Sequence, residues 1–184
     1  METKLKDLKV KNLILTEINE SFYLDFYNLG KDELMCKTLN WGPFKSSFEA
    51  MWVIKNIYNK RPIDEGIPKG YAITLDSKMI GFIDFHDYNS KANSIEIGYF
   101  LGTNYWGQGI MTNVLKKIID YAFNELLVDK IVVGSLIDNI RSIKLIERCN
   151  LKYEEEKLVE ENGEAKLARF YSIYKFEYKG EWLW

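Results

Sequence analysis

The sequence predicts an α+β fold, a mixed and mostly antiparallel sheet of about six or seven strands flanked by helices, formed by one domain over residues 1–184. Three observations predict it. Apolar and polar residues alternate from Tyr71 to Leu101 with two turn signals between, which reads as a three-stranded meander. Two stretches of helical spacing, Gly107–Leu127 and Asn139–Cys149, enclose the apolar run Ile131-Val132-Val133, giving a strand between two helices. Asn162-Gly163 separates two last alternating runs and marks a closing hairpin.

The elements follow in order. A short strand is expected at Asn12–Thr16. Broken helical patterning runs from Asn19 to Leu39, interrupted at Gly30 and restarted by Asp32 as an N-cap. Asn40-Trp41-Gly42-Pro43 closes that stretch as a turn. From Ser46, another cap, a helix is expected to about Lys60, with Phe48, Met51, Trp52, Ile54 and Tyr58 at helical spacing. The period then changes to two: Tyr71–Leu75, Met79–Asp87 and Ser94–Leu101 form the meander, with Asp76-Ser77-Lys78 and Asn89–Asn93 as its connections. Helix Gly107–Leu127 carries two i+4 rows, Ile110, Val114, Ile118, Ala122, Leu126 and Met111, Leu115, Ile119, Phe123, Leu127, so one broad face must be buried. After strand Lys130–Leu136 and helix Asn139–Cys149, Asn150 suits a left-handed position. Strands Leu151–Glu160 and Lys166–Tyr178 complete the sheet.

Composition excludes several classes. The chain has 184 residues, 47% of them hydrophobic, with 3 prolines, which argues against disorder and supports a sizeable core. Lys and Arg number 25 and Asp and Glu 27, so the net charge of −2 offers no positive field for a nucleic acid. Cys36 and Cys149 lie far apart without a CxxC pair, and His86 is the single histidine, so no metal site is expected. No segment approaches the ~20 apolar residues of a membrane span, and a cytoplasmic protein is expected.

Chemistry concentrates in Thr103–Thr112, TNYWGQGIMT, which joins a strand to the start of the strongest helix. Gly107 and Gly109 lack Cβ atoms, so an anion could approach the backbone while N–H groups of the first helical turn donate to it. The helix dipole favours the same charge. A Walker A loop would need Gly-Lys-Ser/Thr, which is absent. A dinucleotide fingerprint would need glycine where Thr112 stands.

The stretch IEIGYFLGTNYWGQGIMTNVLKKIIDYAF, followed by DNIRSIKLIERCNLKYEEE, resembles the GCN5-related N-acetyltransferases, and most of all their branch of ribosomal-protein N-terminal acetyltransferases. The resemblance covers about Gly70–Tyr174. It implies the acyl-CoA N-acyltransferase fold with a splayed sheet, acetyl-CoA as cosubstrate and no metal. It implies that Trp106, Gly107, Gln108, Gly109, Ile110 and Met111 form the loop that cradles the coenzyme's pyrophosphate, with backbone donors from Gln108 to Thr112. Met111 stands where a small residue is usual, so a looser contact is expected there. Glu96 is implied as the group that takes a proton from the attacking amine, after partial burial raises its pKa; a solvated charge on an exposed sheet face is the competing reading. Backbone N–H groups around Phe100 and Leu101 are implied to stabilise the oxyanion. Asn139 is implied beside the pantetheine arm and Ser142 as the acid for the departing thiolate, although both also suit helix capping. Many relatives use a tyrosine in that helix, and Ile146 takes its place here.

The expected activity is acetyl transfer to a primary amine, a protein N-terminus or a small amine such as a polyamine or aminoglycoside, by direct attack in a ternary complex. A catalytically degenerate acyl-CoA-binding module and a nucleotide-binding Gly loop are the alternatives. His86 reads as a hydrogen-bonded histidine at a sheet end, and Cys149 as a small buried hydrophobe. Trp41 and Phe44 either wall an acceptor groove or pack in the core. Glu154, Glu155, Glu156, Glu160, Glu161 and Glu164 read as a solvated strand edge. Tyr178, Trp182 and Trp184 suggest docking on the body or a homodimer contact.

Overall fold

The computed structural model describes residues 6–37, 39, 42–59, 69–161 and 163–180. Among the described residues, eight strands lie in one open mixed sheet, one or two more than the sequence predicts. They are β1 (Leu8–Val10), β2 (Leu13–Glu17), β3 (Gly70–Leu75), β4 (Lys78–Asn89), β5 (Ser94–Leu101), β6 (Lys130–Leu136), β7 (Lys152–Glu161) and β8 (Glu164–Tyr174). Their order is β1-β2-β3-β4-β5-β6-β8-β7. Of the registered pairs, only β5 with β6 is parallel. The helices are α1 (Tyr23–Gly30), α2 (Glu33–Cys36), α3 (Ser47–Val53), α4 (Ile110–Asn124) and α5 (Ile140–Arg148).

The chain forms two compact units, Met1–Asp84 with Tyr99–Gln108, and Phe85–Gly98 with Gly109–Trp184. In the first, β1 and β2 make a hairpin, of which only the second strand is expected from the sequence, at Asn12–Thr16. Leu8 and Val10 are buried, and Lys11 turns the chain at φ 54°. Asp32 caps α2 as expected, its Oδ1 accepting from the N–H groups of Leu34 and Met35. Its Oδ2 accepts from the Thr103 hydroxyl at 2.6 Å, and that bond holds the carboxyl below its ordinary range. Ser46 caps α3, which passes at Ile54 into a π-helical turn to Tyr58; the expected end at Lys60 lies outside the described residues. Phe26 is the centre of an aromatic core, with Phe44, Tyr58 and Phe100 at ring separations of 5.1, 5.9 and 6.0 Å. Phe44 therefore packs in the core. Trp41, and the turn it was expected to form with Asn40, lie outside the described residues.

In the second unit, Met111, Val114, Leu115, Ile118, Ile119, Ala122 and Phe123 form the buried face of α4. The helix is shorter than its apolar spacing suggests. Gly107–Gly109 belong to the preceding loop, and the last rungs fail because Leu127 turns left-handed at φ 59° and is 60% exposed. Buried Val128 replaces them. Asn150 takes the expected left-handed position at φ 61°, and Gly163 turns the final hairpin at φ 78°. Asn162 lies outside the described residues. Strand β7 ends the sheet order, and three of its acids are ion-paired: Glu154 with Lys130, Glu156 with Arg169 and Glu155 with Lys157. Tyr178 lies beyond β8, whose end at Tyr174 is followed by a 3-10 turn. It docks on α4, donating to Asp120 at 2.7 Å with its ring 5.2 Å from Phe123. Trp182 and Trp184 lie outside the described residues.

Candidate active site

The loop between β5 and α4 begins with a 3-10 turn at Thr103–Tyr105, is tied down by its side chains, and is open at Gly107 and Gly109. Trp106 donates its indole N–H to the Leu101 carbonyl at 2.7 Å, and Gln108 donates its amide to the Asn104 carbonyl at 3.0 Å. Trp106 is also partly buried against the aromatic core, so its indole anchors the loop. Gly107 and Gly109 both adopt positive φ, 75° and 72°, a region costly for residues with a side chain. A Cβ at either would meet nothing within 4 Å, so the glycines face open space. Helical bonding begins with Asn113 N–H to Gly109 O. The N–H groups of Ile110, Met111 and Thr112 therefore precede any intrahelical acceptor, and Gly109 as N-cap has no side chain to offer them one. The Met111 side chain is 5% exposed on the core face of α4, so only its backbone belongs to this ledge.

Leu101 and Phe100 end β5. Gly102 N–H donates to Ile80 O at 2.9 Å, and a Cβ on Gly81 would come 2.6 Å from Phe100 O. The N–H and C=O of one strand residue leave on the same side and alternate along the strand. Phe100 thus directs its backbone groups toward β4, and Leu101 directs its N–H to the opposite edge.

Glu96 sits in the second unit, where β5 meets β6. The parallel register runs Ser94↔Lys130, Ile95↔Ile131 and Glu96↔Val132 and ends there. Burial alternates along both strands: Ile95, Ile97, Ile131 and Val133 are buried, whereas Glu96, Gly98, Val132 and Gly134 are half-buried. Glu96 therefore lies on the less covered face, at the last paired rung. Room for its carboxylate comes from Gly134, which the sequence reading passed over. A Cβ there would lie 3.2 Å from Glu96 Oε1 and 2.8 Å from Phe170 Cε1. The signal available in the sequence was a glycine in the middle of a strand.

The structure also brings Glu96 together with the adjacent pair His86 and Asp87, from which the sequence separates it. His86, Asp87 and Glu96 each place a side-chain nitrogen or oxygen within 4.8 Å of the others. His86 Nδ1 and Asp87 Oδ2 are 2.9 Å apart, the hydrogen-bonded histidine that was expected. Its closeness to Glu96 depends on how β4 and β5 align, which no local pattern reveals.

At α5, Asn139 is the N-cap and its Oδ1 accepts from the Ser142 N–H at 3.2 Å. The capping reading of Asn139 is thus realised, and Ser142 is half-buried in the first turn. Ile146, in the position of the relatives' tyrosine, is fully buried. Cys149 is also buried, its Sγ 3.8 Å from the Thr112 carbonyl, and burial pushes its thiol up to about 12. A thiol so rarely ionised is a poor nucleophile. Among the described residues, no helix is long and apolar enough to cross a membrane.

Comparison with known proteins bears on the family and the fold. Residues 12–152 match the model of the acetyltransferase (GNAT) domain. The chain is 31% identical over 147 residues to the uncharacterized N-acetyltransferase p20 of Bacillus licheniformis, covering 79% of this chain and 80% of that one. It is 25% identical over 118 residues to spermidine N(1)-acetyltransferase of Vibrio cholerae, covering 64% and 68%. Among solved structures, the ribosomal L7/L12 alpha-N-protein acetyltransferase RimL in complex with coenzyme A superposes with a TM-score of 0.79 at 22% identity, over 92% of this chain and 98% of that one. Spermidine N-acetyltransferase from Vibrio cholerae with CoA and spermine gives 0.74 at 20% identity, over 90% and 97%. The chain is a member of the GNAT family of N-acetyltransferases.

Proposed function

We propose that this chain, acting as one domain over residues 1–184, transfers the acetyl group of acetyl-CoA to a primary amine by direct attack within a ternary complex. The observation that carries this reading is the open glycine ledge at Gly107 and Gly109, where no Cβ position is contacted and the first backbone donors of α4 have no intrahelical acceptor. Such a ledge suits a diphosphate, because several N–H groups and the positive end of the helix dipole converge on it. The diphosphate accepts from the backbone between Gln108 and Thr112, and the pantetheine arm runs past Asn139, whose Nδ2 donates to it while Oδ1 keeps the cap.

The amine attacks the thioester carbonyl. Its proton passes to Glu96, directly or through a water, and the Leu101 N–H donates to the oxyanion. Collapse of the tetrahedral intermediate forms the amide and breaks the carbon–sulfur bond, and the leaving thiolate takes the Ser142 hydroxyl proton as that hydroxyl takes one from solvent water, so the serine is restored. Cys149 takes no part, because its thiol is buried and protonated. The acceptor follows the family branch: a protein N-terminal amine first, as in the name of the RimL relative. A polyamine is the second reading, favoured by the sequence match to spermidine N(1)-acetyltransferase.

The test is coenzyme A release measured across N-terminal peptides, spermidine and spermine, with Glu96→Gln as control. The reading expects one acceptor class to turn over and the variant to lose about 10²–10⁴-fold in kcat with little change in acetyl-CoA KM. Tight acetyl-CoA binding without thiol release for any amine would support the degenerate binding module instead.

A further inference from the structure

His86 is not needed by the reaction just described, yet it is placed against the group that reaction depends on. It lies in β4, 29% exposed by side chain, with Nδ1 2.9 Å from Asp87 Oδ2. The His86, Asp87 and Glu96 donor atoms all lie within 4.8 Å of one another, within reach of a hydrogen bond or of one bridging water. Asp87 is 80% exposed by side chain, so the trio runs from a half-buried carboxylate outward to solvent. Asp87 also takes the left-handed conformation, φ 49°, which Asp tolerates better than most residues.

We infer that His86 is a positioning residue and proton relay for Glu96, oriented by Asp87. The inference rests on the reading of Glu96 as the base. A carboxylate that accepts from one imidazole nitrogen fixes the tautomer and leaves the lone pair on the other. With Nδ1–H donated to Asp87, Nε2 carries that lone pair. After acetyl transfer Glu96 holds the amine's proton as a neutral acid. It gives that proton, directly or through a water, to His86 Nε2, becoming a carboxylate again, and the imidazolium, stabilised by Asp87, releases the proton from Nε2 to solvent. Each turnover thus returns all three groups to their starting charge, with no other reactant consumed.

Because His86 is the single histidine of the chain, its imidazole gives an unobscured nitrogen-15 spectrum. The relay expects the neutral ring to be the Nδ1–H tautomer, and Asp87→Asn to shift it toward Nε2–H. A wild-type ring already in the Nε2–H form overturns the proposal, whatever the acceptor. The kinetic arm measures thiol release from acetyl-CoA with spermine and with a short N-terminal peptide. His86→Ala is expected to lose about tenfold in kcat, less than the base itself, with acetyl-CoA KM unchanged. Added imidazole is expected to restore the rate in proportion to its concentration. His86→Gln keeps a donor toward Asp87 and is expected to remain slow, which separates proton relay from packing. Wild-type kcat in both His86 variants, with Glu96→Gln impaired, sinks the relay and leaves the base standing. Full activity in Glu96→Gln removes the base and the relay together. Loss of wild-type activity on chelation, restored by zinc, would make the trio a metal centre and overturn the relay as well.

Discussion

Helices α4 and α5 both begin just after a strand-to-helix connection, and they treat their first turns in opposite ways. Helix α5 is closed by its own sequence: Asn139 Oδ1 takes the Ser142 N–H, satisfying one of the donors that any helix start leaves unpaired. Helix α4 opens on Gly109 at φ 72°, which cannot cap anything, and its approach is clear of neighbouring atoms. An Asn, Asp or Ser before α4 would be expected if stability alone were at stake. In the proposed function the glycine forgoes that stabilisation and leaves the donors to the coenzyme. On the proposed function, a helix start without a side-chain cap, exposed and preceded by a second left-handed glycine, serves the ligand, whereas the well-capped start of α5 serves the helix first.

Substitutions that exchange the two states sharpen the contrast. The largest effect is expected from Gly109→Asp, which puts a carboxylate on the ledge. Asp is among the residues that tolerate left-handed φ, so the fold should survive, and its charge opposes a diphosphate. Calorimetric titration should show acetyl-CoA affinity reduced by about tenfold or more, a change of at least about 1.4 kcal/mol, with little change in melting temperature. Unchanged affinity would mean that the α4 start is only a turn. A smaller effect is expected from Asn139→Ala, and it should fall first on stability. Loss of an N-cap costs about 0.5–2 kcal/mol, which for a chain of this size lowers the melting temperature by roughly 2–4 °C per kcal/mol. Acetyl-CoA affinity should fall less than in Gly109→Asp. A thermal melt and the same titration check both, and the reverse order of effects would break the comparison.

How much of this was legible in the sequence follows the range of the interactions involved. The meander, the buried face of α4 and the caps at Asp32, Ser46 and Asn139 were readable, because each depends on residues within a turn or a strand of one another. Strand β1 was not, since Leu8 and Val10 present too short an alternation among lysines to separate from a charged terminus. The end of α4 was overrun because Leu126 and Leu127 continue the apolar rows although the chain has already turned toward Val128. At the site, the glycine loop and Glu96 were readable as motif and alternation. The space that Gly134 opens for Glu96, and the meeting of His86 with it, were not. Both arise from alignment between strands distant in sequence, which only the pairing register fixes. Met111 looked like an obstacle in the motif, and the helical phase of α4 instead turns its side chain into the core.

Coenzyme binding, as proposed, depends on the backbone donors at the start of α4. Titration of isotope-labelled protein with acetyl-CoA, followed through the amide resonances of Gly107–Thr112, tests them directly. Large, saturable shifts at Gln108–Thr112, lost in Gly109→Asp, are the predicted result. Saturable binding that leaves those amides unmoved while others shift would contradict it.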